Sequence, residues 1–401
     1  MNALHDEIVK VVSRGNCSGC GTCALLDPDV TMHLADDGFV RPRIAPSADG
    51  EQDVASVAEF RRSCPGVSVS AQSPEGATRH DQLGPIVSIW EAYAVDDDIR
   101  FTGSSGGALT ALNDWLLGTG QITSVVVASA SETDAAVTVS GAVSTQSEAV
   151  RAAGSRYAPV ANAAKADLDD ARSAVVGKPC EVSALRALAE ARNQEPPLLL
   201  AFFCAGVPSQ RATESLIRDL GVAEGTELST VRYRGHGWPG DFYVEDAQGN
   251  SVQTSYEESW GRHLGPTIQQ RCKLCPDGVG ESADITAGDF WRSDSRGYPD
   301  FTNRDGMSVL IARTRRGEDI LCRAAQDGVI SIRAIDPDDV AQVQQHQVVR
   351  RATLFGRMTG GALAGHRTPR YRGFGLFRLS LGTPVRALRA MAGTFRRARR
   401  W

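Results

Sequence analysis

The placement of cysteine constrains this chain more than any other feature. Eight of its nine cysteines fall into two sets of four. The first set is Cys17, Cys20 and Cys23, spaced Cys-x2-Cys-x2-Cys, with a distant Cys64 followed by Pro65. Three thiols within seven residues let one short loop offer three ligands to a single inorganic body. A cubane iron–sulfur cluster needs that arrangement, with a fourth cysteine closing the cage, and a Cys-Pro at the fourth position follows the bacterial pattern. Zinc more often takes its thiolates in separated pairs. The first set therefore reads as a [4Fe-4S] site, which obliges the chain near residue 20 to meet itself again near residue 64.

The second set, Cys180, Cys204 and the pair Cys272-x2-Cys275, is less specific. Cys180 follows Val-Gly-Lys-Pro and Cys204 ends Ala-Phe-Phe, both read as strands entering turns. Strand ends in a parallel sheet gather at one edge, where distant cysteines can converge. Spacing alone leaves two readings open: a second cluster, or two buried structural cysteines with a surface pair. Cys322, in an expected helix over 318–325, reads as a core cysteine.

No run of 18 or more apolar residues occurs in a chain that is 42% hydrophobic, so a membrane-spanning helix is not expected. The N-terminal residues have neither a basic nor an apolar leader region, which with cluster-type cysteines points to a reducing cytoplasm. Charge is uneven. Residues 340–401 hold 13 Arg and no Asp or Glu, so the rest is far more acidic than the net −5 of the whole chain. An acidic body suits a basic partner, although such surfaces are common.

Residues 1–80 read as a polar, loop-rich cysteine arm without a long periodic segment, closing in a Ser-, Gln-, Pro- and Gly-rich linker from Ser68 to Leu83. Asp36-Asp37-Gly38 reads as a turn into a short strand. From Pro85 the pattern is α/β. Strands are expected over 86–95, 122–128, 137–143, 174–176, 198–203 and 308–312, with helices over 104–117, 182–191 and 210–220 and a hairpin over 241–255. This alternation predicts a mixed or parallel sheet covered by helices. The expected division is an arm and linker (1–80), two parts of a core (81–165 and 166–340) and an arginine-rich tail (341–401).

Thr102-Gly103-Ser104-Ser105-Gly106-Gly107 precedes an expected helix. Glycines permit close backbone approach, and free N–H groups at a helix start suit phosphate or pyrophosphate. A glycine-rich helix cap with Ser104 or Ser105 as the capping residue is the plainer alternative. Arg156-Tyr157 offers a cation and an aromatic face, and Lys178 stands beside Cys180. Residues 232–240, Arg-Tyr-Arg-Gly-His-Gly-Trp-Pro-Gly, combine cations, aromatics and flexible backbone, as a loop over a planar ligand would. The stretch 283–291, ending in Gly-Asp-Phe-Trp, reads as a second strand end facing a ligand. Of the seven histidines, only His236 is a candidate proton donor.

Taken in order, these motifs resemble the beta subunit family of coenzyme F-420 hydrogenase/dehydrogenase, which includes 7-hydroxymethyl chlorophyll a reductase. The series runs Cys-x2-Cys-Gly-x-Cys, Ser-Ser-Gly-Gly, Arg-Tyr-x-Pro, Val-Gly-Lys-Pro-Cys, Phe-Cys-x-Gly, Gly-Trp-Pro-Gly, Cys-x2-Cys and Ala-Asp-Ile-x-x-Gly-Asp, over residues 15–315. The resemblance implies an FAD-binding, iron–sulfur oxidoreductase of mixed α/β fold with a ferredoxin-like arm. Thr102 to Gly107 match the flavin-phosphate turn, and Arg156 and Tyr157 match positions beside it. Cys180, Cys204, Cys272 and Cys275 match the ligands of a core cluster, and Cys17, Cys20, Cys23 and Cys64 those of an extra N-terminal cluster in longer members. Two departures stand out: the arm carries one ferredoxin-like set instead of two, and the tail beyond about residue 340 matches nothing in the pattern.

Three functions follow as expectations. The first is an oxidoreductase with FAD and two [4Fe-4S] clusters, moving electrons between a ferredoxin-like partner and a small organic substrate such as the deazaflavin coenzyme. The second is a non-catalytic electron-transfer subunit of a larger complex, and the third a zinc-stabilised binding protein. The tail after Pro384 places Val385, Leu388, Met391, Ala392 and Phe395 at helical spacing, with Arg386, Arg389, Arg396, Arg397 and Arg400 mostly off that stripe. Such a helix suits peripheral contact with an anionic membrane face, or plain packing on the acidic body. Nucleic acid is not an expected partner.

Overall fold

The computed structural model describes residues 2–45, 54–290 and 305–399. Trp291, Arg400 and Trp401 lie outside them. An eight-stranded mixed sheet forms the centre. Its strands are β1 (Ser88–Ala94), β2 (Ser124–Ala130), β3 (Thr138–Val143), β4 (Ser173–Gly177), β5 (Leu198–Phe202), β6 (Ile285–Asp289), β7 (Ser308–Ala312) and β8 (Ile330–Ala334), in the spatial order β8-β1-β7-β6-β5-β4-β2-β3. The run β6-β5-β4-β2 is parallel, and the pairings outward from both ends of it are antiparallel.

Both faces of the sheet are covered, which is why these strands are apolar without interruption. Along β5, Leu198 and Leu200 join the core beneath helices Ala108–Gly118 and Arg315–Gln326, while Leu199 and Ala201 join the core beneath Pro179–Ala191. This is the two-residue alternation of a strand. Because β7 reverses direction twice over between β6 and β1, the carboxyl ends of β1, β2, β4, β5 and β6 all reach the same edge. Ligand sites collect at such an edge.

The arm is more regular than its sequence suggests. Helix Ala3–Ser13 buries Leu4, Ile8 and Val11 and is capped by the Asn2 side chain. Helix Val54–Ser63 follows a hairpin made of Val30–Leu34 and Val40–Ile44. The expected linker contains two short strands, Ser68–Ser70 and Thr78–His80, of which Ser68–Ser70 pairs in parallel with Arg370–Arg372 of the tail. That partner lies some 300 residues away and leaves no local trace. A short helix, Asp97–Thr102, capped by Asp96, separates β1 from the glycine-rich turn. Residues 103–107 are therefore a turn, and the following helix starts at Ala108 with Gly107 in the left-handed region as its cap.

Within the tail, Pro384–Ala398 packs against helix Gln345–Leu363, itself part of the tail and not of the acidic body. A Cβ at Gly356 would lie 2.3 Å from the Ala387 carbonyl oxygen, and one at Gly360 2.2 Å from that of Met391. The two helices thus touch through bare backbone. The buried positions of this last helix are Ala387, Thr394 and Ala398, while Val385 and Leu388 of the expected apolar stripe stay exposed. No described helix is long and apolar enough to cross a membrane.

Candidate functional site

Cys17, Cys20, Cys23 and Cys64 line one small cavity with Ile8, Val11 and Phe60. The two arm helices make its walls, and Cys64 sits one residue past the end of the second. Its loop needs glycine. Gly19 has φ +71°, and a Cβ there would lie 2.7 Å from the Val40 carbonyl oxygen. Burial pushes the thiols of Cys17, Cys23 and Cys64 above their ordinary range, with neighbouring cysteines adding to the effect.

Cys180, Cys204, Cys272 and Cys275 line a second cavity at the carboxyl edge of the sheet. Cys180 is in the first turn of helix Pro179–Ala191, after β4, and Cys204 follows β5. Cys272 belongs to the short helix Gln270–Lys273, and the Val207 N–H donates to its Sγ over 3.4 Å. Burial raises the thiols of Cys180 and Cys275, and that of Cys204 to about 12. A metal body that takes thiolates removes this burdened proton.

The polar atoms around both cavities fit an inorganic sulfide cluster. Ser18 Oγ, Thr22 Oγ1 and Arg271 Nε are buried and have no hydrogen-bond partner among the described residues. Ser18 and Thr22 line the first cavity, Ser18 and Arg271 the second. Donors left idle in a folded interior call for an acceptor. Among the described residues, no group of three or more His, Cys, Asp or Glu is set to hold a single metal ion; each set of four thiols lines a cavity.

A pocket of about 210 Å³ adjoins the second cavity. Lys178, Cys204, Gly206 and Val207 line both. Lys178 is buried, and its Nζ donates to Glu181 Oε1 (2.6 Å) and the Val160 carbonyl (2.8 Å). Burial alone would lower its pKa, but the Glu181 carboxylate above all outweighs this and holds it above the ordinary value. On the opposite wall Arg234, 2% exposed, pairs with Asp289 at 2.9 Å and donates to the Pro239 carbonyl. Tyr157 lies 4.8 Å from the Trp260 ring and accepts from Arg234 through its hydroxyl.

The expected cofactor residues divide on this pocket. Ser104, Ser105, Gly107, Arg156, Tyr157 and Lys178 line it; Thr102, Gly103 and Gly106 do not. Gly106 serves the sheet, since its Cβ would lie 2.7 Å from the Ala92 carbonyl oxygen and 3.0 Å from the Ser308 nitrogen. Neither serine caps the helix: Ser104 Oγ accepts from the Ser155 N–H, and Ser105 Oγ donates to the Met307 carbonyl. The Arg156 guanidinium is spent on Thr138 Oγ1 and the carbonyls of Val231 and Ala135, which ties a separate three-stranded sheet (Leu228–Arg232, Phe242–Asp246 and Ser251–Thr254) to the central one. His236 is exposed, stacks edge-on with Phe101 at 5.4 Å and lies outside the pocket lining. Cys322 sits in helix Arg315–Gln326, away from both cysteine groups.

Two pocket residues were silent in the sequence. Asn113 and Asn162 are buried in the lining, and the side-chain carbonyl oxygen of each has no partner among the described residues. Such acceptors suit the imide N–H or ribityl hydroxyls of a flavin, so the pocket fits that group. A lone Asn on the buried face of an apolar helix, as at Asn113, was the only available signal.

Comparison with known proteins gives consistent matches. Residues 89–166 match the family model "Coenzyme F420 hydrogenase/dehydrogenase, beta subunit N-term", and residues 170–338 match its C-terminus counterpart. A coenzyme F420 hydrogenase subunit beta of Methanosarcina barkeri is 26% identical over 311 residues, covering 72% of this chain and 97% of that relative. The protein of the same name from Methanococcus voltae is 26% identical over 256 residues, 61% of this chain and 83% of its own length. In fold, a chain of the F420-reducing [NiFe] hydrogenase complex from Methanosarcina barkeri aligns with TM-score 0.50 and 22% identity, over 69% of this chain and 96% of that one.

Proposed function

Because this chain belongs to the coenzyme F420 hydrogenase/dehydrogenase beta subunit family, we propose that it is an FAD- and iron–sulfur-dependent oxidoreductase. It moves electrons between a redox partner protein and an organic molecule, with the deazaflavin coenzyme as first candidate. One observation carries this reading: the three cavities lie in series, joined by Ser18 between the two thiol cavities and by Cys204 between the second and the pocket. FAD exchanges electron pairs as hydride and single electrons with clusters.

The chain's own residues supply the setting. Cys17, Cys20, Cys23 and Cys64 hold one [4Fe-4S] cluster, and Cys180, Cys204, Cys272 and Cys275 the other. Ser104, Ser105 and Gly107 place the helix start at the pocket, Asn113 and Asn162 present acceptors to the flavin, and Tyr157 and Trp260 wall it from water. Lys178, fixed by Glu181, sets a positive charge between flavin and cluster, where it stabilises added negative charge.

Anaerobic purification with iron, sulfide and flavin quantification tests the reading. About eight iron, eight sulfide and one FAD per chain are expected from two cubanes and one flavin. Cys17→Ser and Cys272→Ser should each remove about half of the iron. Stoichiometric zinc without broad visible absorbance would refute it. Flavin and clusters with no turnover of the deazaflavin coenzyme would favour an electron-transfer subunit instead.

A further inference from the structure

A cavity of about 1260 Å³ lies apart from the flavin pocket. It is an open cleft on the outer side of the first cysteine group. Val11 and Ser63 line both the cleft and the thiol cavity, and Asn16 and Gly66, which flank Cys17 and the Cys64-Pro65 pair, line the cleft. The arm contributes Lys10, Arg14, Arg61 and Arg62 to it, and the tail contributes Arg367, Arg370 and Arg372. All seven are exposed. They face two lining carboxylates, Glu7 and Glu190. Glu7 is engaged by Arg61 at 3.0 Å and Lys10 at 3.3 Å.

The tail arginines reach this place through a specific pairing. Strand Arg370–Arg372 lies parallel to Ser68–Ser70. Strand alternation puts Arg370 and Arg372 on one face and Tyr371 on the other, where its hydroxyl donates to the Leu274 carbonyl at 2.6 Å. Asn16 Nδ2 donates to the Arg367 carbonyl at 2.7 Å and fastens the tail beside Cys17. An acidic protein thus concentrates exposed cations over its outermost thiol group.

We propose that this cleft docks the acidic surface of a small electron-carrier protein, and that the tail completes the dock. The proposal rests on the proposed function for the electron path and names the partner's contact surface. Among the described residues no Phe, Tyr or Trp lines the cleft, so those residues supply no platform of the Phe, Tyr and Trp kind on which single-stranded nucleic acid stacks. Its concave, cation-lined wall likewise suits a protruding acidic surface better than a flat bilayer. Clustered charge of one sign steers an opposite partner and makes its binding sensitive to salt.

The test uses anaerobically loaded full-length protein and a plant-type [2Fe-2S] ferredoxin, with cationic cytochrome c as control. Binding is read by titration calorimetry at low and at moderate salt. The parent should prefer the ferredoxin and lose most affinity with added salt. The pair Arg370→Glu/Arg372→Glu should weaken binding tenfold or more, while Arg370→Gln/Arg372→Gln gives a smaller loss. Cofactor content, far-ultraviolet ellipticity and reduction by dithionite, which needs no dock, should not change. Equal ferredoxin affinity in parent and charge-reversed protein would overturn the proposal, as would no preference over cytochrome c. If instead anionic phosphatidylglycerol vesicles, and not ferredoxin, lose binding in the variants, the cleft is a lipid site and the proposal fails. Binding is measured independently of turnover, so an inactive or cofactor-free chain would count against the proposed function and leave the docking result readable.

Discussion

Replacing Arg234 should reveal how the loop 232–240 is held to the sheet edge. The guanidinium is 2% exposed and the Asp289 side chain 20% exposed, and they meet at 2.9 Å. Arg234 also donates to the Pro239 carbonyl and stacks over the Trp238 and Tyr256 rings. Removing one member of a buried ion pair typically costs about 3–5 kcal/mol, because the other is left uncompensated. The geometry orders the two halves of the pair. Arg234→Met leaves a carboxylate that water can reach, and falls near the lower bound of about 3 kcal/mol. Asp289→Leu strands the deeper cation and falls toward the upper bound. The double variant should lose about 2 kcal/mol less than the sum, as contacting residues do. Burial alone would lower the Arg234 pKa, but Asp289 more than offsets it, so the group sits above its ordinary range. A raised cation contributes fully below its unfolded value and loses that contribution only as pH climbs through the folded one. The deficit of Arg234→Met should therefore be constant from pH 6 to 9. Urea midpoints at equal cofactor loading measure it. Additive single variants, or costs below about 1 kcal/mol for both, would refute the reasoning.

Three further outcomes are expected. Asn113→Leu should weaken FAD binding about five- to tenfold, the value of one hydrogen bond of about 1–1.5 kcal/mol, with the fold intact; unchanged affinity in a fluorescence titration would remove Asn113 from the site. Gly360→Val, whose Cβ has no room beside Met391, should destabilise the chain by about 1–3 kcal/mol and loosen the last helix, seen as earlier proteolysis of the tail. Val385 and Leu388 are each 59% exposed beside Arg386 and Arg389, so Val385→Glu/Leu388→Glu should lower sedimentation with anionic vesicles at low salt; equal sedimentation would mean that this helix does not contact membranes.

The sheet was legible because strands buried on both faces print themselves as unbroken apolar runs, and Leu198–Phe202 and Ser308–Ala312 could be read almost to the residue. Both cysteine groups were legible too, the first from local spacing and the second only once strand ends were placed at one edge. What escaped depends on distant partners. Ser68–Ser70 is a strand because Arg370–Arg372 lies beside it. The helix at residues 3–13 was overlooked although Leu4, Ile8 and Val11 recur at its period. Gly106 shows the converse error. A glycine-rich turn before a helix suggests ligand approach, yet here the missing side chain makes room for Ala92 and Ser308 of the protein itself.

Charge shows most clearly how the fold reassigns what the sequence counts. Read in line, the arginines after residue 340 form one basic tail attached to an acidic body. In space they separate into three populations. Arg350 and Arg351 are buried, the first donating to the carbonyls of Cys204 and Ala205, the second paired with Glu281. These two stabilise the cysteine edge of the core. Arg367, Arg370 and Arg372 line the cleft over the first cysteine group. Arg386 and Arg389 face solvent on the last helix. An acidic total had suggested a basic partner, but a partner meets a local field and not a sum. Once strand pairing carries three tail arginines to the four cations of the arm, the sign of the face nearest the first thiol group is positive, and the complementary partner there is acidic.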